Sequence, residues 1–215
     1  FLNVDPNCSV IDMCAAPGSK TMQILEKFQA EDSHGFIIAN DIEPNRCRTL
    51  VHQLNRIDTS KVLVINHPAQ FIPDLGLQFD RVLCDVPCSG DGTFRKNADA
   101  SVKWRVSKGC GLHSIQRSIL VRGLQLLKVG GVCVYSTCSL NPIEDEEVIN
   151  SVLNELANSN KPDQTGLPVS IVDTSSMFPG LVRSKGVNFW NVFSDVNTKY
   201  DKYEDVPEDL RKQIK

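Results

Sequence analysis

Two cysteines, Cys88 and Cys138, stand where thiol chemistry is most readily placed. Cys88 belongs to Asp85-Val86-Pro87-Cys88-Ser89-Gly90-Asp91-Gly92, a loop that carries a carboxylate and a thiol three residues apart and is stiffened by Pro87. Cys138 ends Val132-Cys133-Val134-Tyr135-Ser136-Thr137-Cys138, which reads as a buried strand stopping abruptly. Asn141-Pro142-Ile143-Glu144 then reads as a helix start, with Asn141 as N-cap, Pro142 at the first helical position and Glu144 reaching back to the cap. Ligands bind along the carboxyl rim of open α/β sheets, and amide dipoles there favour the thiolate, the attacking form of cysteine. Taken singly, Cys138 reads equally well as a half-buried structural residue. Zinc is the competing use of these side chains, with Cys84 and Cys88, or Cys110 and His113, as ligand pairs. No C-x-x-C is present, so no metal is expected.

A second constellation opens the chain. Val10-Ile11-Asp12-Met13-Cys14 reads as the first strand, and Ala15-Ala16-Pro17-Gly18-Ser19-Lys20 as a turn of small residues. Such a turn lets the backbone approach a ligand, and the helix behind it presents free amides. That helix is expected from about Ser19 to Gln29, with Thr21, Ile24, Leu25 and Phe28 on one face. One glycine instead of three excludes the dinucleotide fingerprint, and no Walker loop is present. The second strand, Gly35 to Asp41, ends in an acid about 20 residues past the turn, a placement that suits ribose hydroxyls. Pro44 follows, so Asp41 also reads as a helix cap.

These groups need a frame. Further strands are expected at 62–66 and 79–85, and a helix with Cys47, Leu50, Val51 and Leu54 between the second and third strands. A helix from about His113 to Lys128 buries Ile119, Leu120, Leu124 and Leu127, and Gly130-Gly131 breaks it. Residues 93–112 read as irregular and basic. A helix at 142–156, a polar linker at 158–168 and a short sixth strand at 169–172 complete the core. Residues 174–215 read as an irregular segment, charged and frayed from 195 on. Strands alternating with helices imply a doubly wound, mostly parallel α/β sheet in a single domain.

Size and composition agree. The chain has 215 residues, 41% hydrophobic and 23% charged, ordinary values for a globular domain. No apolar run approaches the ~20 residues that span a bilayer, and no secretory signal pattern opens the chain. Phe1 in place of Met suggests a fragment. Eight irregularly spaced cysteines read as reduced thiols of an intracellular protein. The net charge of -3 does not announce a nucleic-acid binder, yet residues 81–128 hold nine basic residues against three acids. Such a face suits a phosphate backbone, although charge alone reads equally as a solvated surface.

Together, Asp12-Met13-Cys14-Ala15-Ala16-Pro17-Gly18-Ser19-Lys20, Asp41, the Asp85 to Gly92 loop and Ser136-Thr137-Cys138-Ser139-Leu140-Asn141-Pro142-Ile143-Glu144 resemble the Sun-family RNA cytosine-5 methyltransferases, closest to the eukaryotic tRNA-modifying branch. The likeness runs in order from about residue 4 to 156. It implies a Rossmann-like fold, here without the family's last strand, and S-adenosylmethionine as methyl donor. Cys14, Ala15, Ala16, Pro17, Gly18, Ser19 and Lys20 would surround its methionine end, and Asp41 its ribose. Asp85 would stand at the junction of donor and target base, Cys138 would be the nucleophile, and Cys88 would help release the product. Lys20 would favour the thiolate. RNA, as tRNA, is the implied partner of a monomeric protein placed in the nucleus before the cytoplasm. Pro68 departs from the family, which commonly has an acid there for the adenine amino group. A catalytically weak RNA-binding protein and a thiol redox protein are the rival readings.

Overall fold

The computed structural model describes residues 1–30, 32–57, 60–158, 169–193 and 198–213. Expected as one domain, the chain divides into two compact units. One comprises Phe1–Val86 with Ile119–Ser136, the other Pro87–Ser118 with Thr137–Lys215.

The first unit holds a five-stranded sheet: β1 (Ser9–Asp12), β2 (Phe36–Asn40), β3 (Val62–Ile65), β4 (Phe79–Asp85) and β5 (Leu127–Ser136). The order is β3-β2-β1-β4-β5, and every pairing is parallel. Helix α1 (Ser19–Lys27) buries Thr21, Ile24 and Leu25, with Phe28 just beyond its end, on the expected face. Helix α2 (Pro44–Leu54) starts with proline, whose fixed φ suits a first helical position. Leu50 and Leu54 of α2 join Ile24, Leu25 and Phe28 against Val10, Ile37, Ala39 and Leu83 of the sheet. Each fully buried side chain of this size contributes about 1.5–3 kcal/mol. Val51, which also marked this helix in the sequence, is exposed.

Strand β5 departs from expectation. It begins at Leu127 and runs through Gly130-Gly131, where the helix was expected to break. Between the Phe79–Leu127 and Arg81–Val132 pairs, β4 advances two residues and β5 five, so the glycines sit in a bulge. As the last strand in the order, β5 is half-buried and not fully buried.

The second unit contains α3 (Ala98–Lys103), the first part of α4 (Val106–Gln125), α5 (Glu146–Asn158), the antiparallel pair β6 (Val192–Phe193) and β7 (Lys199–Tyr200), and α6 (Glu208–Gln213). The segment read as irregular at 93–112 is therefore largely helical. Gly109 and Gly111 lie inside α4, and each costs about 1 kcal/mol of helix propensity relative to alanine, which masks the pattern. The expected strand at 169–172 is no strand: Val169, Ile171 and Val172 are exposed. Residues 159–168, read as a linker, lie outside the described residues. The charged end contributes Val206 and Leu210 to a cluster with Cys110 and Ile143, against which Trp190, Val192 and Tyr200 pack.

Candidate active site

In the first unit the strand order reverses between β1 and β4, and the carboxyl ends of those strands are where open α/β sheets bind ligands. The Cys14 to Lys20 turn leaves β1 there. Its backbone is pinned: Met13 N–H donates to Leu83 O at 2.9 Å, Ala15 N–H to Asn40 O at 2.7 Å, and Ala16 N–H to Asp41 Oδ2 at 3.2 Å. Arg46 donates to Ala16 O at 2.5 Å and lies 3.3 Å from Asp41 Oδ2. Asn40 Nδ2 donates to Met13 O at 2.9 Å and to His67 O at 3.0 Å, tying the turn after β1 to the loop after β3. Gly18 has φ +113, and a Cβ there would stand 2.8 Å from Leu50 Cδ1, so only glycine fits. It precedes α1, whose first amides carry no side-chain cap.

Asp41 is buried, yet it is not the cap of α2; Glu43 holds that place and accepts from Asn45 N–H. Lys20 Nζ donates to Asp85 Oδ2 at 2.6 Å, and Ser136 O–H donates to Asp85 Oδ1 at 2.7 Å. Asp12 is buried and accepts from Thr21 O–H at 2.8 Å through Oδ2, while its Oδ1 has no hydrogen-bond partner. Burial raises its pKa to about 7. Burial also pushes the Cys14 thiol up, helped by the charges of Asp12, Asp41 and Asp85, so Cys14 stays a neutral thiol.

The second unit brings the two expected cysteines together. Cys138 is exposed, Cys88 is half-buried, and their sulfurs are 3.2 Å apart. Cys138 N–H donates to Cys88 Sγ at 3.3 Å. Burial raises the Cys88 pKa to about 12, with the hydrogen bond to Cys138 next in effect. Gly92 N–H donates to Cys138 O at 3.0 Å, and a Cβ on Gly92 would lie 2.7 Å from that oxygen, so a glycine is needed where the loops meet.

Two acids clasp these loops. Glu144, fully buried, accepts through Oε1 from Ser89 N–H at 2.7 Å and from Gln116 Nε2 at 3.0 Å. Its Oε2 accepts from Ser89 O–H at 2.5 Å and Ser139 O–H at 2.8 Å. Asp91 accepts Leu140 N–H with both oxygens, at 3.2 and 3.1 Å, and its Oδ1 lies 2.7 Å from Ser139 Oγ. The expected capping is corrected here. Asn141 Oδ1 accepts from Ile143 N–H at 3.2 Å in a turn, α5 begins only at Glu146, and the Glu144 side chain turns to the Cys88 loop. The α-helix expected from Pro142 therefore does not start beside Cys138. Glu144, Asp91, Asn40 and Arg46 were not among the expected site residues. A serine flanking each cysteine and an acid in each motif were the available signal.

Among the described residues no group of three or more His, Cys, Asp or Glu side chains could hold a metal ion. Among the described residues no helix is long and apolar enough to cross a membrane.

A family model described as 16S rRNA methyltransferase RsmB/F matches residues 1–182. The chain belongs to the RsmB/F family. The resemblance drawn from the motifs is thereby borne out. Among curated RsmB/F relatives, the multisite-specific tRNA:(cytosine-C(5))-methyltransferase of Saccharomyces cerevisiae is 46% identical over 205 residues, which cover 89% of this chain and 29% of the yeast protein. The chain thus spans less than a third of that relative's length. The solved structure of PH0851 superposes with a TM-score of 0.67 at 32% identity, over 71% of this chain and 34% of that one. NSun6 from Pyrococcus horikoshii, solved with SFG, gives 0.63 at 31%, over 72% and 38%. These likenesses agree with the Rossmann-like parallel sheet seen here.

Proposed function

We propose that this chain carries the catalytic core of an enzyme that methylates carbon 5 of cytosine in RNA, with S-adenosylmethionine as donor and tRNA as substrate. The observation that carries the reading is the thiol pair: one exposed, one half-buried, 3.2 Å apart on two loops of a member of the RsmB/F family. The yeast relative, by its name, acts on tRNA cytosine carbon 5, which supports the substrate. The basic stretch between Arg81 and Lys128 supports a phosphate-rich partner.

The first unit suits the donor. The uncapped amides at the start of α1 fit its carboxylate, and the buried Asp41 fits its ribose. When bound, S-adenosylmethionine supplies an electrophilic methyl group. The Lys20–Asp85 ion pair and the Ser136 hydroxyl hold the Asp85 carboxylate in a fixed orientation.

The thiols do the base chemistry. Carbon 5 of cytosine is a poor nucleophile. Addition of the Cys138 thiolate to carbon 6 breaks the ring double bond and places electron density on carbon 5. After methyl transfer the carbon 5 proton leaves to a base, the ring double bond re-forms and Cys138 departs. Cys88, kept as a neutral thiol by burial, is not that base; 3.2 Å from the Cys138 sulfur, it can give its proton to the departing Cys138 thiolate and regain one from solvent. The target base must leave any stack to meet these thiols.

Incubation with S-adenosylmethionine and unmodified tRNA tests the reading. The expected result is 5-methylcytosine in the RNA, abolished by Cys138→Ala. Pro68 favours the second reading, a catalytically weak RNA-binding protein: it offers neither carboxylate nor N–H to adenine. Donor binding without methyl transfer, or no heat of donor binding at millimolar concentration, would support that alternative.

A further inference from the structure

The thiol pair has chemistry of its own, independent of any RNA. We infer that Cys88 and Cys138 form a redox modification site, closed by a hydroperoxide into an intramolecular disulfide and reopened by thiols. A disulfide needs its sulfurs at about 2.05 Å. Here they already stand 3.2 Å apart, held by the frame around them. The Cys138 amide donates to Cys88 Sγ, Gly92 N–H holds Cys138 O, and Asp91 and Glu144 fix Ser89, Ser139 and Leu140 on either side. Closing the bond asks for little loop movement.

Exposure divides the roles. Cys138 is exposed and meets the oxidant first; Cys88, half-buried behind it, resolves. The sulfur of Cys138 attacks the terminal oxygen of the hydroperoxide. The O–O bond breaks, the departing alkoxide or hydroxide takes the thiol proton, and Cys138 carries a sulfenic acid. The sulfur of Cys88 then attacks that of Cys138. The S–O bond breaks, and the Cys88 proton leaves with hydroxide as water. In sum, two thiols lose two electrons and two protons, and the peroxide is reduced to an alcohol and water. The other cysteines are poorly placed: Cys8, Cys47, Cys84 and Cys110 are buried, and Cys14 and Cys133 are half-buried. Cys84 and Cys133 are hydrogen-bonded to each other and provide an internal control, because their pair includes no exposed sulfur.

The test treats the reduced full chain with one equivalent of hydrogen peroxide, followed by alkylation and peptide mass spectrometry. The expected product is a Cys88–Cys138 linked peptide, lighter by two hydrogens and restored by dithiothreitol. Cys138→Ser should give no link. Cys88→Ser should leave Cys138 as a sulfenic acid trapped by dimedone. Sulfinic acid at Cys138 without a link in the parent chain, a disulfide between two chains, or a Cys84–Cys133 link forming as fast would each overturn the inference. Methyl transfer is assayed separately on the oxidised chain. Its loss and return with dithiothreitol are expected if Cys138 is the nucleophile. A linked chain that still methylates RNA would contradict the proposed function while leaving the redox site standing.

Discussion

Glu144 is the residue on which the two thiol loops depend. Its carboxylate accepts from Ser89 twice, from Gln116 and from Ser139, all within the buried interior of the second unit. Removing the acceptor leaves several buried donors unsatisfied, so Glu144→Ala is expected to cost about 3 kcal/mol in urea unfolding. It should also lower the yield of a short bifunctional thiol cross-linker between Cys88 and Cys138. Glu144→Gln keeps one carbonyl acceptor and should lose less of both. Asp12 is the second residue with a measurable signature. Burial holds its folded pKa at about 7, above its ordinary value of 3.8. A raised carboxylate pKa means the folded state binds the proton more tightly, so this contribution to stability is fully present below pH 3.8 and is lost as pH rises through 7. The Tm difference between Asp12→Asn and the parent chain should therefore shift in favour of the variant between pH 5 and pH 8. A constant difference would contradict a buried, titrating Asp12. Cys88 and Cys138 were legible in the sequence because a thiol beside Pro or Thr and Ser, at a strand end, is an uncommon combination. Glu144 was visible only as a capping residue: nothing local says that its side chain crosses to a loop 55 residues away.

At the scale of elements, the first four strands were readable because β-branched and aliphatic runs ended at small residues or acids. The fourth, Phe79–Asp85, fell where expected. Where the pattern misled, glycine and exposure explain why. Gly109 and Gly111 hid the start of α4, and Gly130-Gly131 looked like a helix stop but belong to the bulge in β5. The alternation Val169-Ser170-Ile171-Val172 imitates a strand, yet its apolar side chains are exposed. The loop after β3 carries its own prediction. Pro68 opens the short 3-10 turn Ala69–Phe71 with φ -59, a value proline adopts without strain. Aspartate is tolerated at the same place and adds an acceptor. Pro68→Asp is expected to tighten S-adenosylmethionine binding by about 1–3 kcal/mol, about fivefold to 150-fold in Kd, read by isothermal titration calorimetry. An unchanged Kd would mean that this position does not meet the adenine.

At the scale of the molecule, the chain passes between its two units at Val86–Pro87, at Ser118–Ile119 and at Ser136–Thr137. Asp85, one residue before the first crossing, and Ser136, at the last, are paired across β4 and β5. Parallel strands with a reversal between β1 and β4 bring Cys14 to Lys20, Asp41 and Asp85 to the carboxyl ends of the strands in one unit. The 87–92 and 137–145 segments explain why the other gathers the thiols. The central claim is that Cys138 attacks a pyrimidine. RNA bearing 5-fluorocytosine tests it most directly, because fluorine at carbon 5 cannot leave as a proton and the adduct cannot resolve. With S-adenosylmethionine present, the parent chain should form a covalent RNA complex stable to denaturing electrophoresis. Cys138→Ala should abolish it, and Cys88→Ala should retain it. An adduct that survives Cys138→Ala, or none in the parent chain, would contradict the account.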